Sequence, residues 1–172
     1  MKTGSARMGT SASNRPSVAV RRATAGDADG ILDCLQTAFE PYRQRYTPEG
    51  FKDTVLGPDT VHERLHSMSV FVAVTDAGAV VGTIGCQIIS AEEGHLRGMA
   101  VLPEWQRRGV AEQLLSRAEQ ELRGNGCVRI SLDTTRPLQR AIRFYEKHGF
   151  RSSGKVSDFF GMPLHEYIKE LS

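Results

Sequence analysis

The chain has 172 residues, a length that suits one domain with one sizeable core. Its composition, 40% hydrophobic and 24% charged, is that of an ordinary globular protein, and no apolar run approaches the roughly 20 residues a spanning helix needs. Five of the 22 Lys/Arg residues lie in residues 1–22, which hold no acid; the rest carries 17 bases against 20 acids and lacks the basic surplus of a nucleic-acid-binding body.

Before Val18 the only large apolar residues are Met1 and Met8, in a stretch rich in Ser, Thr, Ala, Gly and Asn. Such a segment cannot bury enough to offset its ordering entropy, so residues 1–17 are expected to be a disordered tail. The tail lacks the apolar face of an amphipathic transit helix, and it has no signal-peptide core. Residues 18–172 then form a single domain. Cys34, Cys86 and Cys127 are far apart and sit among apolar neighbours. That pattern suits free thiols in a reducing compartment, here the cytoplasm, better than a disulfide framework or a metal cluster. Neither a nucleic-acid nor a membrane partner is expected.

Val18 to Arg22 reads as a strand. Thr24 or Asp27 can cap a helix that carries Ile31, Leu32, Leu35 and Phe39 on one side. Glu40 to Pro58 is aromatic and Pro/Gly-rich, hence irregular or weakly helical, and Asp59-Thr60 opens a short helix ending near Met68. Val70–Val74 and Val80–Ile89 flank an Asp-Ala-Gly turn and read as a hairpin. Gly94–Leu102 is the next strand. Val110–Arg123 is an amphipathic helix with Val110, Leu114, Leu115, Ala118 and Leu122 on one face, stopped by Gly124-Asn125-Gly126. Cys127–Leu132 is a strand. Pro137 suits the first turn of a helix whose stripe is Leu138, Ala141, Ile142 and Tyr145, ended by Gly149. Met162–Leu171 reads as a last strand. The order β-α-α-β-β-β-α-β-α-β implies an α/β architecture with an antiparallel first half and parallel crossovers later.

Two widely known signatures occur by letter. His62-Glu63-Arg64-Leu65-His66 matches HExxH, in which two histidines one turn apart share a zinc and the glutamate activates its water. Zinc hydrolysis is the remote alternative, because Ser69 and Val72 stand where an extended zinc motif has glycine and a third histidine. Gly149 to Val156 matches most of a P-loop. It follows a helix, however, and ends in Val156, which has no hydroxyl for Mg²⁺.

Gln106-Arg107-Arg108-Gly109-Val110-Ala111 is better placed, between a strand and a long helix. The first N–H groups of that helix and its dipole favour an anion there. Gly109 permits the backbone torsions that let successive amides converge in a nest. About 35 residues on comes Ala141-Ile142-Arg143-Phe144-Tyr145-Glu146-Lys147-His148-Gly149-Phe150. Alone, Tyr145 in that stretch would be a packed core tyrosine.

Together, in this order, the two stretches resemble the GNAT superfamily of acetyl-CoA-dependent N-acetyltransferases. The first carries the family pattern Q/R-x-x-G-x-G/A at Gln106 to Ala111. The resemblance implies a mixed, mostly antiparallel central sheet flanked by helices. It implies acetyl-CoA as co-substrate, with its pyrophosphate on the amides of residues 107–111, Gln106 opening that motif, and its pantetheine arm along Met99, Ala100 and Val101. It also implies a strand bulge, for which Gly98 is well placed. The reaction it implies is direct attack by a primary amine through a tetrahedral intermediate, with Tyr145 protonating the departing thiolate. His95 and Glu93 are candidate bases acting through water. The acceptor groove falls under Phe39 to Val55, where Tyr42 and Tyr46 could stack on a substrate, and Glu40, Glu49 and Asp53 could attract a cationic amine. Leu138 stands where the family often has an asparagine for the pantetheine arm. The acceptor is a small-molecule amine or a protein amino group, a homodimer is possible, and no metal is expected. A non-catalytic acyl-CoA-binding module on the same fold is the alternative.

Overall fold

A computed structural model describes residues 17–172; the expected disordered tail lies outside the described residues, Ser17 apart. The chain runs β1 (Val18–Arg22), α1 (Ala28–Phe39), α2 (Pro48–Val55), α3 (Pro58–Ser67), β2 (Ser69–Thr75), β3 (Val80–Ile88), β4 (Glu93–Val101), α4 (Val110–Gly124), β5 (Arg129–Thr134), α5 (Gln139–Lys147), β6 (Arg151–Phe159) and β7 (Met162–Glu170). Two elements are added to the expected order. One is α2, started by Thr47, whose hydroxyl accepts from the Gly50 N–H, and by Pro48 in the first turn. The other is β6, which takes up the P-loop-like stretch as an exposed edge strand. A two-residue turn, Phe160-Gly161, folds β6 onto β7 with positive φ at both positions (48° and 88°), as tight hairpin turns require.

One seven-stranded sheet results, in the order β1-β2-β3-β4-β5-β7-β6. Every neighbouring pair is antiparallel except β4–β5. The alternation of β2 divides the core. Phe71 and Ala73 face the α4 side, with Leu114, Leu115, Ala118 and Leu122. Val70, Val72 and Val74 face the other side, with Ile31, Cys34 and Leu35 of α1 and Val61 of α3. All five residues of the expected α4 stripe are buried. Asp27 does not cap α1. Its carboxylate instead accepts from the Thr24 N–H (2.8 Å) and from both ends of the Arg21 guanidinium (2.7 and 2.9 Å), tying the end of β1 to the start of the helix.

Two irregularities position the site. β4 pairs with β5 only over Glu93–Leu96 against Arg129–Leu132. Past Leu96, β4 continues to Val101 beside β3 while β5 stays with β7, so the two strands part. At that point β4 bulges. Arg97 pairs with Gly85 and Ala100 with Thr83, so Gly98 and Met99 oppose the single residue Ile84. Gly98 takes φ +68°, as the expected bulge asks of a glycine.

Candidate active site

A cleft of about 610 Å³ opens where β4 and β5 separate. One wall is β4 from His95 to Val101, continuing into Gln106 and Arg107; the other runs from Leu132 to Thr135 and along α5. Phe39, Tyr42, Tyr46 and parts of α2 and α3 close one end. Three of the four α5 stripe residues, Leu138, Ala141 and Tyr145, line this cleft together with Phe144, and Ile142 does not; only Tyr145 is buried, so most of the apolar periodicity read as core packing builds a cleft wall.

The loop before α4 is shaped by its backbone. Arg107 and Gly109 take left-handed torsions (φ +62° and +81°), and Gly109 is the residue before the first turn of the helix. Among the described residues, the six consecutive amides from Arg107 to Glu112 have no hydrogen-bond acceptor. Unmet N–H groups at a helix N-terminus, in a nest of alternating torsions, form an anion cradle. Gln106 braces it, donating through Nε2 to the Val101 carbonyl (3.0 Å). The side chains contribute less. Arg108 is exposed and lies over the Trp105 ring at 5.3 Å, and Val110 is buried in the core, so both reach the cradle only through their amides.

Tyr145 is 7% exposed, with its ring edge-on to Phe144 (5.4 Å) and Phe150 (5.5 Å). Its hydroxyl has no hydrogen-bond partner among the described residues, and burial pushes its pKa well above the ordinary tyrosine value. It is therefore a fixed, protonated donor on the cleft wall. His95 is brought into the cleft; Glu93, at the start of β4 opposite Arg129, is not among the lining residues. His95 Nδ1 lies 2.9 Å from Ser131 Oγ, and Nε2 lies 3.7 Å from an Asp133 oxygen. Burial lowers the His95 pKa, and the Asp133 carboxylate opposes the fall. Neutral at pH 7, His95 can take a proton, and the imidazolium would then face an acceptor at each nitrogen.

The aromatic segment behaves differently from expectation. Tyr46 is buried and its hydroxyl is committed to Thr135 Oγ1 (2.6 Å), so it is a tether holding residues 40–46 over the cleft. Tyr42, half-buried, remains a cleft wall. Of the three acids read as amine attractors, only Asp53 lines the cleft, and Arg97 neutralises it at 2.9 Å; Glu40 pairs with Arg43 (2.8 Å) outside it.

Sequence reasoning missed Arg64, Arg97, Asp133, Thr134 and Thr135, all of which line the cleft. The Thr134 hydroxyl is buried without a partner, a polar atom left for something in the cleft. No local pattern marks these residues; their shared position is visible once the strands are seen to part. His62 and His66 are both exposed on α3, and no group of three or more metal-ligating side chains occurs among the described residues. The zinc alternative therefore finds no third ligand among the described residues.

Known proteins share this architecture. The PaiA N-acetyltransferase of Thermoplasma acidophilum, solved in complex with coenzyme A, superposes with a TM-score of 0.74 at 20% identity, over 90% of this chain and 99% of its own. A GNAT-family acetyltransferase of Staphylococcus aureus Mu50 gives 0.74 at 17% identity, over 91% and 100%. A GNAT-family protein of Desulfovibrio desulfuricans gives 0.72 at 23% identity, over 91% and 100%. These likenesses establish the fold. The sequence model of the acetyltransferase (GNAT) family matches residues 30–150, which span α1 through α5 and hold both the unpaired amides and Tyr145. The chain that carries the parted strands, the bulge and the amide run thus belongs to the GNAT family of acetyltransferases.

Proposed function

We propose that the protein is a cytoplasmic N-acetyltransferase that moves an acetyl group from acetyl-CoA to a primary amine. The observation that carries this is the run of six unpaired amides at the head of α4, opening on a cleft that passes the β4 bulge and reaches Tyr145. The amides of Arg107 to Glu112 would hold the pyrophosphate, and Met99 to Val101 with Thr134 would meet the pantetheine arm. A Thr134 hydroxyl without a partner offers the polar contact that Leu138 cannot. The complex of the Thermoplasma protein with coenzyme A supports the same ligand here. Three buried free thiols support a reducing compartment.

Acetyl-CoA supplies the acyl group and a thiolate leaving group. His95 accepts the amine proton, directly or through one water, and the imidazolium is held between Ser131 and Asp133. The residue that the bulge leaves out of the ladder, at Gly98–Met99, would offer its amide to polarise the carbonyl. The nitrogen bonds to the acetyl carbon, the C–S bond breaks, and the Tyr145 hydroxyl proton passes to the thiolate. The proton taken by His95 returns to the phenolate through solvent, so amide and free thiol are the products. The direct test mixes the protein with acetyl-CoA and an amine panel and follows thiol release, with calorimetry for binding. Absence of acetyl-CoA binding overturns the reading.

His95 sets the acid limb of the rate. Its lowered pKa keeps it neutral above the ordinary histidine range, so kcat/KM is expected to fall with acid only below pH about 6.5. Asp133→Asn removes the charge that holds the value up, so the limb should move to lower pH still; His95→Gln should abolish it and slow turnover about 10²-fold. A pH–rate profile of the three proteins checks this, and an unmoved limb in Asp133→Asn rejects the His95 assignment.

A further inference from the structure

Among the cleft residues that the reaction above leaves without a task, Arg64 is a cation set against the bulge. It stands on α3, between the two exposed histidines of the HExxH-like run, and it turns into the cleft. Its Nη1 lies 2.5 Å from the point a Cβ on Gly98 would occupy, so the guanidinium rests on the bulge in space that a glycine leaves open. No carboxylate lies within 4.0 Å of it, and it makes no side-chain hydrogen bond among the described residues. The nearest candidate, Asp53, is taken by Arg97 at 2.9 Å. Burial, and then the Arg97 charge, lowers the Arg64 pKa to about 10, with Asp53 opposing; it stays a cation at neutral pH.

Burial disfavours the Arg64 cation, and an anion in the cleft would offset that cost. The cofactor phosphates are the wrong anion. Their cradle begins beyond Val101, and Gly98 to Val101 alone spans about 10 Å of strand. Beside the bulge Arg97 is paired with Asp53, and Asp133 lies next to His95, so Arg64 is the cation there that has no carboxylate of its own among the described residues. A guanidinium presents a planar fork of donors that fits a carboxylate in two parallel hydrogen bonds. Phe39 and Tyr42 stand on the same side as apolar walls.

We propose that the acceptor is an aminocarboxylate, of the free amino acid class, whose carboxylate docks on Arg64 while its amine lies on the His95 side of the bulge. This rests on the N-acetyltransferase reading. The amine attacks the acetyl carbon, its proton goes to His95, Tyr145 protonates the thiolate, and an N-acetyl amino acid leaves with free CoA.

The test compares wild-type kcat/KM on free amino acids, their carboxamides, the matching decarboxylated amines and short peptides with the same N-terminal residue. Free acids are expected to lead by about 100-fold, since a site built to hydrogen-bond a group rejects analogues that lack it. In Arg64→Gln the preference should collapse through a rise in KM for the acids of about 30-fold, with kcat little changed and acetyl-CoA affinity intact. Carboxamides, decarboxylated amines or peptides equal to the acids overturn the proposal, and that comparison needs no variant to fold. A fall in kcat of Arg64→Gln that is the same for every acceptor also overturns it, since that would place Arg64 on the thioester. Acetyl-CoA binding with no free acid acetylated defeats the aminocarboxylate assignment alone; no acetyl-CoA binding defeats the enzyme reading beneath it.

Discussion

Tyr145→Phe is expected to lower kcat about 100-fold while leaving acetyl-CoA affinity and Tm where they were. The combination is unusual and follows from the geometry. A buried tyrosine commonly has its hydroxyl hydrogen-bonded, and its removal then weakens the fold by about 1 kcal/mol. Here the hydroxyl has no partner among the described residues, while the ring is fixed edge-on between Phe144 and Phe150. Phenylalanine keeps the ring and its packing and loses no hydrogen bond. What it loses is the hydroxyl proton that the proposed reaction draws on. Burial raises the Tyr145 pKa, so the group is protonated throughout the physiological range, above a departing thiol of about 8.5. Steady-state kinetics, calorimetry and thermal melts on the two proteins decide the matter. Unchanged turnover would remove Tyr145 from the reaction. Acetyl-CoA bound tightly by a parent protein that turns over no amine would identify a non-catalytic binding module.

Gly109→Val is expected to weaken CoA binding by about 10- to 100-fold, and by more than Arg107→Ala or Arg108→Ala. A Cβ at residue 109 would meet no protein atom within 4 Å, so crowding in the free protein is not the cause. The cause is the torsion. At φ +81° an L residue is strained by about 1–2 kcal/mol, and a β-branched one by more. Valine escapes by moving to negative φ, which swings the following peptide and breaks the convergence of the amides. The two arginine side chains are exposed, and attraction at a wet surface is screened by salt. Titration of CoA into the four proteins by calorimetry gives the ranking. Equal affinity in Gly109→Val would falsify the backbone account.

Much of this was legible in the sequence because it is local. The α4 stripe and the glycine stop are periodic signals, and the bulge at Gly98 and the cradle at Gly109 both depend on glycines at strand and helix ends. β6 was not legible. Its residues are nearly all exposed, so no alternation marks the strand, and it is held by the Phe160-Gly161 turn and by pairing with β7. The wall formed by α5 was read as core because an apolar stripe does not say whether it faces protein or an open cleft. Arg64 was invisible for another reason. Within HExxH it is merely the middle residue, and its meaning comes from Gly98, 34 positions away, with which it shares a few ångströms of space. The pairing at the acceptor end was invisible for the same reason: counting acids along 39–55 could not show that Arg97 would pair with Asp53.

The run of amides from Arg107 to Glu112 and the left-handed Arg107 exist as a site only in the folded chain, and this bears on how much folded protein a cell holds. A ligand that binds only the native chain shifts the folding equilibrium toward it, by about 2.7 kcal/mol at a hundred times Kd. A ligand held on the proposed cradle would stabilise this chain in that way. Its lifetime against proteolysis would then follow the supply of thioester, and starvation for the donor would thin the population of the catalyst as well as slow it.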